Sequence, residues 1–166
     1  ELGLKNGNLV VDDRRNGKRW AFDGINASLT RPGRGGVIFR LESDNSERPW
    51  VLSAAMRPLT DGVRAVGIEA RKVSMHDILL ALRVNTDDFD IDLPVSASIR
   101  ADVLADGTPQ AVQGQLFSER GTIVDRNNDK VNLTIDRADV RFNWDNQRRN
   151  LVIPFQVQSG GNQFTM

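Results

Sequence analysis

From Pro94 to Val103 every second residue is apolar: Val95, Ala97, Ile99, Ala101 and Val103, with Ser96, Ser98, Arg100 and Asp102 between them. Side chains on a strand point alternately to opposite faces of a sheet, so this stretch predicts a long strand with one apolar and one wetted face. The same pattern recurs as Val37, Phe39, Leu41; as Trp50, Leu52, Ala54, Met56; as Ala138, Val140, Phe142, Trp144; and as Leu151, Ile153, Phe155, Val157. A chain so patterned is confined to a mostly β architecture. Its one-sided strands together make a large apolar surface, and what covers that surface is the functional question.

Turn chemistry punctuates the alternation at short intervals, as in an antiparallel all-β protein. Lys5-Asn6-Gly7-Asn8 and Arg14-Arg15-Asn16-Gly17 carry Asn-Gly pairs that suit tight hairpin turns. Pro32-Gly33-Arg34-Gly35-Gly36, Asp44-Asn45-Ser46-Glu47, Thr60-Asp61-Gly62, Asp106-Gly107, Asn127-Asn128-Asp129 and Asn146-Gln147-Arg148 follow. Strands are expected near 8–12, 18–30, 36–43, 50–57, 63–71, 94–105, 110–118, 121–125, 130–135, 138–145 and 150–158. Only 74–83 changes period: Met75, Ile78, Leu79 and Leu82 recur at helical spacing, and Ser74 with Asp77 resembles a capping box. Such a helix is about 15 Å long against about 33 Å for a ten-residue strand, so it plugs one end of an apolar sheet without roofing it.

The 166 residues suffice for one domain with a core of its own. Lys+Arg and Asp+Glu are 22 each, which excludes a whole-domain electrostatic hold on nucleic acid or on an anionic membrane. Few aromatics and no Tyr argue equally against a single-strand nucleic-acid platform. There is no Cys for a disulfide or thiolate site, and no run approaches the ~20 apolar residues of a membrane-spanning helix. The chain opens at Glu1 and stops in mid-pattern at Met166, so an excerpt of a longer protein is expected.

An internal echo supports an array. Gly7-Asn8-Leu9-Val10-Val11-Asp12 matches Gly121-Thr122-Ile123-Val124-Asp125, and Asp23-Gly24-Ile25-Asn26-Ala27 tracks Asp136-Arg137-Ala138-Asp139-Val140. The pattern Leu4-Lys5-Asn6-Gly7-Asn8-Leu9-Val10-Val11-Asp12-Asp13, then Trp20-Ala21-Phe22-Asp23-Gly24-Ile25-Asn26-Ala27-Ser28-Leu29, resembles the repeated hairpin of the AsmA-like superfamily of Gram-negative bacteria. Val73-Ser74-Met75-His76-Asp77-Ile78-Leu79 followed by Leu93-Pro94-Val95-Ser96-Ala97-Ser98-Ile99 resembles the helix-then-strand passage of its YhdP type. The resemblance covers most of the chain as a style of repeat, without invariant residues. It implies a periplasmic protein anchored in the inner membrane by a segment outside this chain. Its β-repeats would form an open groove carrying phospholipid toward the outer membrane, in support of outer-membrane biogenesis. One segment is expected, with hairpin repeats at 1–72 and 94–166 flanking the helix. The family brings no catalytic residues.

No group of residues predicts chemistry. His76 is the only histidine, and no Gly-x-Ser-x-Gly elbow accompanies it, so a helix-surface histidine is the simpler reading. Asp88, Asp90 and Asp92 imitate a calcium loop, but Leu93 stands where an EF-hand needs Gly and Ile99 where it needs Glu. Asp125 to Asp136 has Lys130 at the glycine position and reads as a polar hairpin. Arg31-Pro32-Gly33-Arg34-Gly35-Gly36 leads into a strand rather than a helix N-terminus, which removes the usual phosphate cradle. Arg14, Arg15, Lys18 and Arg19 flank a turn, where basic residues discourage edge pairing. Asn26-Ala27-Ser28 and Asn132-Leu133-Thr134 fit the glycosylation sequon, a triplet common by chance. No enzyme activity, cofactor, metal or nucleic-acid partner is expected.

Two readings of the apolar faces follow. In a closed β-sandwich serving adhesion or scaffolding, two sheets ~10 Å apart roof each other. In an open groove, acyl chains take that place, and the neighbouring repeats of the same chain extend the sheet. Alternation alone does not separate them; the family resemblance favours the groove. Its expected lining is Phe39, Leu41, Leu52, Ala54, Val95, Ala97, Ile99, Ala101, Val103, Leu151, Ile153 and Phe155.

Overall fold

A computed structural model describes every residue except 1, 15–16, 34, 44–46, 61, 82–83 and 129–131. In chain order the elements are β1 (Leu2–Asp13), β2 (Lys18–Thr30), β3 (Val37–Ser43), β4 (Trp50–Pro58), β5 (Arg64–Ser74), α1 (Met75–Ala81), β6 (Phe89–Asp92) and β7 (Pro94–Val103). Then come β8 (Pro109–Ser118), β9 (Gly121–Asp125), β10 (Asn132–Ile135), β11 (Arg137–Asp145), β12 (Asn150–Val152), β13 (Phe155–Ser159) and β14 (Asn162–Thr165). The main sheet runs β1-β2-β3-β4-β5-β7-β8-β11-β13-β14, with β12 also on β11, and every pairing is antiparallel. The sheet is open and curved rather than closed into a barrel, with β1 and β14 as its edges. A separate sheet, β10-β9-β6, consists of strands of four or five residues.

That asymmetry settles the sandwich alternative. Three short strands and a seven-residue helix cannot roof strands of up to thirteen residues, so the apolar faces are not closed by a second sheet. The small elements gather at one end. α1 begins where β5 ends and packs on β5 and β6, and the Met75 amide donates to the Leu93 carbonyl at 2.9 Å. The small sheet is tied to β13 where the Asp136 amide donates to Gln158 O (2.8 Å) and the Ser159 hydroxyl to Thr134 O (2.6 Å). The buried apolar side chains among the described residues are Ile25, Ala70, Leu93, Val95 and Ile135. The tightly packed core therefore occupies the covered end of the main sheet and little else.

Several sequence expectations shift in detail. Lys5-Asn6-Gly7-Asn8 is no hairpin turn: β1 runs straight through it as a bulge, its register against β2 slipping on both sides of Gly7. Asn6 adopts a φ of 50°, which Asn tolerates, and its amide donates to Asn26 Oδ1 at 2.9 Å. The helix is shorter than 74–83: Ser74 closes β5, and its hydroxyl accepts the Asp77 amide at 3.4 Å, one half of the expected capping box. Leu82 and Arg83 lie outside the described residues. The echo is only partly structural. β1 and β2 both stay in the main sheet, whereas β9 and β10 form the small one and the chain rejoins the main sheet at β11, just past Asp136.

The strand expected at 150–158 is interrupted at Ile153 and Pro154. Its register does not slip: Asn143 faces Val152 before the gap, and Val140 faces Phe155 after it, three residues further on in each strand. Pro154 accepts the Arg141 amide at 2.9 Å but has no N–H to return, so a ladder bond is missing there.

Candidate functional site

Cross-strand partners share a face, so the register places the apolar side chains in rows across the sheet. One row reads Leu4, Ala27, Leu41, Leu52, Ala70, Ala97, Leu116, Val140 and Phe155. The next reads Leu2, Leu29, Phe39, Ala54, Ile68, Ile99, Gly114 and Phe142. A third reads Val37, Met56, Val66, Ala101, Val112, Trp144 and Leu151. The rows hold no charged residue. Gly114 is the one small break, and the space over it is taken: an added Cβ would stand 2.5 Å from Phe142 Cζ and 3.1 Å from Ile99 Cγ1.

The other face is hydrophilic. Ser28, Arg40, Ser53, Glu69, Ser98, Gln115 and Arg141 form one of its rows. They bond largely among their neighbours, as in Ser98 Oγ to Glu69 (2.7 Å), Gln115 Nε2 to Asp139 (2.8 Å) and Arg40 to Glu42 (2.8 Å). Ile38 and Val152 are exposed apolar exceptions on this side, where a shallow depression of about 760 Å³ lies over β7, β8 and β11.

The residues expected to line a groove, Ile153 aside, fall on the apolar face. Val95 belongs to the packed end, and Val103 to the far end, opposite Arg64. Ile153 lies in the interruption, opposite Phe142 in the uninterrupted register. Away from the packed end the face stands open to solvent: Phe39 and Met56 are each 39 % exposed, and Leu4 and Leu151 more than half. A compact monomer of 18.5 kDa exposes roughly 8,200 Å², whereas this chain exposes 11921 Å². Soluble proteins rarely leave a contiguous apolar surface of this kind without a partner.

The remaining sequence candidates disperse. His76 and Asp77 are half-buried on α1; burial holds the Asp77 carboxyl above the usual carboxylate range, with neighbouring His76 partly opposing the shift. Asp92 accepts from Nη1 and Nη2 of Arg48 (2.8 and 3.2 Å), and Asp88 accepts from Asn127 at 2.9 Å. Among the described residues no three metal-ligating side chains converge. Residues 31–36 turn β2 into β3, with Gly35 at a φ of 78° and Arg34 outside the described residues. Of the basic group at the first turn, Arg14 and Arg19 are exposed and Arg15 is outside the described residues. The sequon residues Asn26 and Asn132 lie within β2 and at the start of β10.

Sequence reasoning missed a cavity of about 620 Å³ at the covered end, lined by residues of both sheets and by Asp77 of α1. Trp50, Lys72, Leu93 and Arg120 help line it. Its only sequence signals were Lys72 between two apolar runs and a Glu119-Arg120 pair between strands, neither distinctive. No family model, curated protein or solved structure matches this chain.

Proposed function

We propose that this chain is a segment of a lipid-conducting β-groove, in which phospholipid acyl chains lie along the apolar rows of the main sheet. The open apolar face carries the reading: rows without a single charge cross the sheet, and the protein's own small elements cover one end of them. Acyl chains suit such a surface because they need no directional partner and move over Val, Leu, Ile and Ala without breaking hydrogen bonds. The resemblance to AsmA-like repeats supports the setting: the periplasm, an inner-membrane anchor outside this chain, and delivery of phospholipid toward the outer membrane. Neighbouring repeats fit the edges. The sheet path has ten strands, each antiparallel to the next, so β1 and β14 run in opposite directions. A following repeat added in the same orientation continues the alternation without a parallel pair.

The role is one of binding and passage, with no reaction assigned to any residue. It is tested by expressing the chain in Gram-negative cells, purifying it without detergent and extracting it with organic solvent. The expected result is phospholipid at one or more molecules per chain, identified by mass spectrometry. Lipid-free protein that stays monomeric would overturn the proposal, because the apolar face would then tolerate water unaided.

A further inference from the structure

The cavity at the covered end begins where the apolar rows stop. Trp50, which helps line it, lies two residues before Leu52 on the same face of β4, and Leu93 and Pro94 supply further apolar wall. Its polar lining is of a different kind from either face of the sheet. Arg48, Lys72 and Arg120 bring positive charge, while Glu47, Asp77, Asp92 and Glu119 bring negative charge. The two signs face each other across the cavity from different elements: Arg48 precedes β4 and meets Asp92 on β6, and Lys72 on β5 meets Glu119 beyond β8. The second of these contacts is long, at 3.8 Å, and both partners in each pair are more than half exposed. Ion pairs left in water hold weakly, so they exchange readily for a ligand's charges.

Two further features mark the place as built. Lys72 has a φ of 51° within the β5 bulge between Ala70 and Val73, and its amide is fixed by Ser96 Oγ at 3.1 Å. A lysine in left-handed backbone is costly, and a bulge is a device for re-aiming a side chain; here Lys72 is turned to the cavity. In the same lining, Asp77 is a half-buried carboxyl whose proton affinity is raised by desolvation, so a cation brought alongside would be favoured. Trp50 adds an indole, the ring that best holds an ammonium group.

We infer that this cavity seats a zwitterionic phosphodiester headgroup, with the phosphate against Lys72 and Arg120 and the ammonium against Asp77 and Trp50. This rests on the lipid reading of the apolar face, from which acyl chains would enter the seat past Trp50. The shared chemistry also fits a soluble glycerophosphodiester, and the test separates the two sources.

The whole chain is titrated in NMR experiments with dihexanoyl phosphatidylethanolamine, dihexanoyl phosphatidylglycerol and glycerophosphoethanolamine. The expected result is a preference of about fivefold for the ethanolamine lipid over the glycerol lipid. Its shifts should appear at Trp50, Lys72 and Thr122 and also along the apolar rows at Ile99 and Leu116. Asp77→Asn, which removes the carboxylate partner of the ammonium, should abolish the preference, and the double substitution Lys72→Gln, Arg120→Gln should weaken both lipids, each while leaving the shifts at Ile99 and Leu116. Shifts along the rows with no headgroup preference would refute the seat and leave the lipid reading standing. Shifts at neither place would refute both. Glycerophosphoethanolamine binding as tightly as the lipid would refute the lipid as the source.

Discussion

Val95 and Ile99 are four residues apart on β7 and point to the same face, yet they should respond very differently to a carboxylate. Val95 is 2 % exposed, at the packed end of the sheet, whereas Ile99 is only partly covered and stands in the open row between Ile68 and Gly114. Ile99→Asp forfeits part of an isoleucine's burial, about 1–2 kcal/mol, while its carboxylate turns toward water. Lower strand preference adds up to about 1 kcal/mol. The sum, about 1–3 kcal/mol, corresponds to a melting point lowered by roughly 2–12 °C in a chain this size. Val95→Asp forfeits a fully buried side chain and strands an unpaired charge, for which the penalty is several kcal/mol more. That total approaches the whole stability of an ordinary domain, about 5–15 kcal/mol, so the Val95 variant should be largely unfolded. Urea unfolding followed by tryptophan fluorescence reads both. Equal penalties, or an Ile99 variant that fails to fold, would refute the claim that only one end of the sheet is sealed.

Two other perturbations test the ends of the fold. A Cβ at Gly121 would run into the Asp92 carbonyl and stand 2.9 Å from Leu93 Cα, both backbone atoms that cannot swing away. Gly121→Ala should therefore displace the small sheet and raise amide exchange across β6 and β9, while the β2–β5 amides keep their protection. The Asp77 carboxyl has a folded-state pKa above its unfolded value of 3.8, so burial of its charge costs stability above the folded pKa. That cost disappears as the pH falls to 3.8 and below, because the folded state then binds the extra proton it prefers. Asp77→Asn should raise stability at pH 7 and lose that advantage near pH 3, as read by urea unfolding at the two values.

Much of the sheet was legible because alternation is a local signal with a global consequence. A residue such as Leu52 or Ala97 is apolar for the same face as its cross-strand partner, so reading each strand alone already defines the rows. The β2 and β9 boundaries match the turn chemistry residue for residue. What local pattern could not show was partnership. Gly121 to Asp125 reads like any other strand, and nothing in its composition says that it leaves the main sheet for β6 and β10. Asn6-Gly7 carries the chemistry of a turn, but left-handed Asn serves a bulge equally well, and long-range pairing with Ile25 and Ala27 decides between them. The strand-end cavity was illegible for the same reason. Its charges come from residues 47 to 120, and only the long-range assembly of strands, helix and loops brings them together.

The central claim is that one face of the sheet carries lipid and the other does not. Neighbouring positions on β7 test it most directly, because Ile99 belongs to the apolar rows and Arg100 to the opposite face, beside Gly67 and Gln113. A photo-crosslinking amino acid is introduced at one position or the other in Gram-negative cells, followed by irradiation and mass analysis of the adduct. Phospholipid captured at position 99 and none at position 100 is the predicted result. Equal capture at both positions, or only protein adducts at position 99, would contradict it.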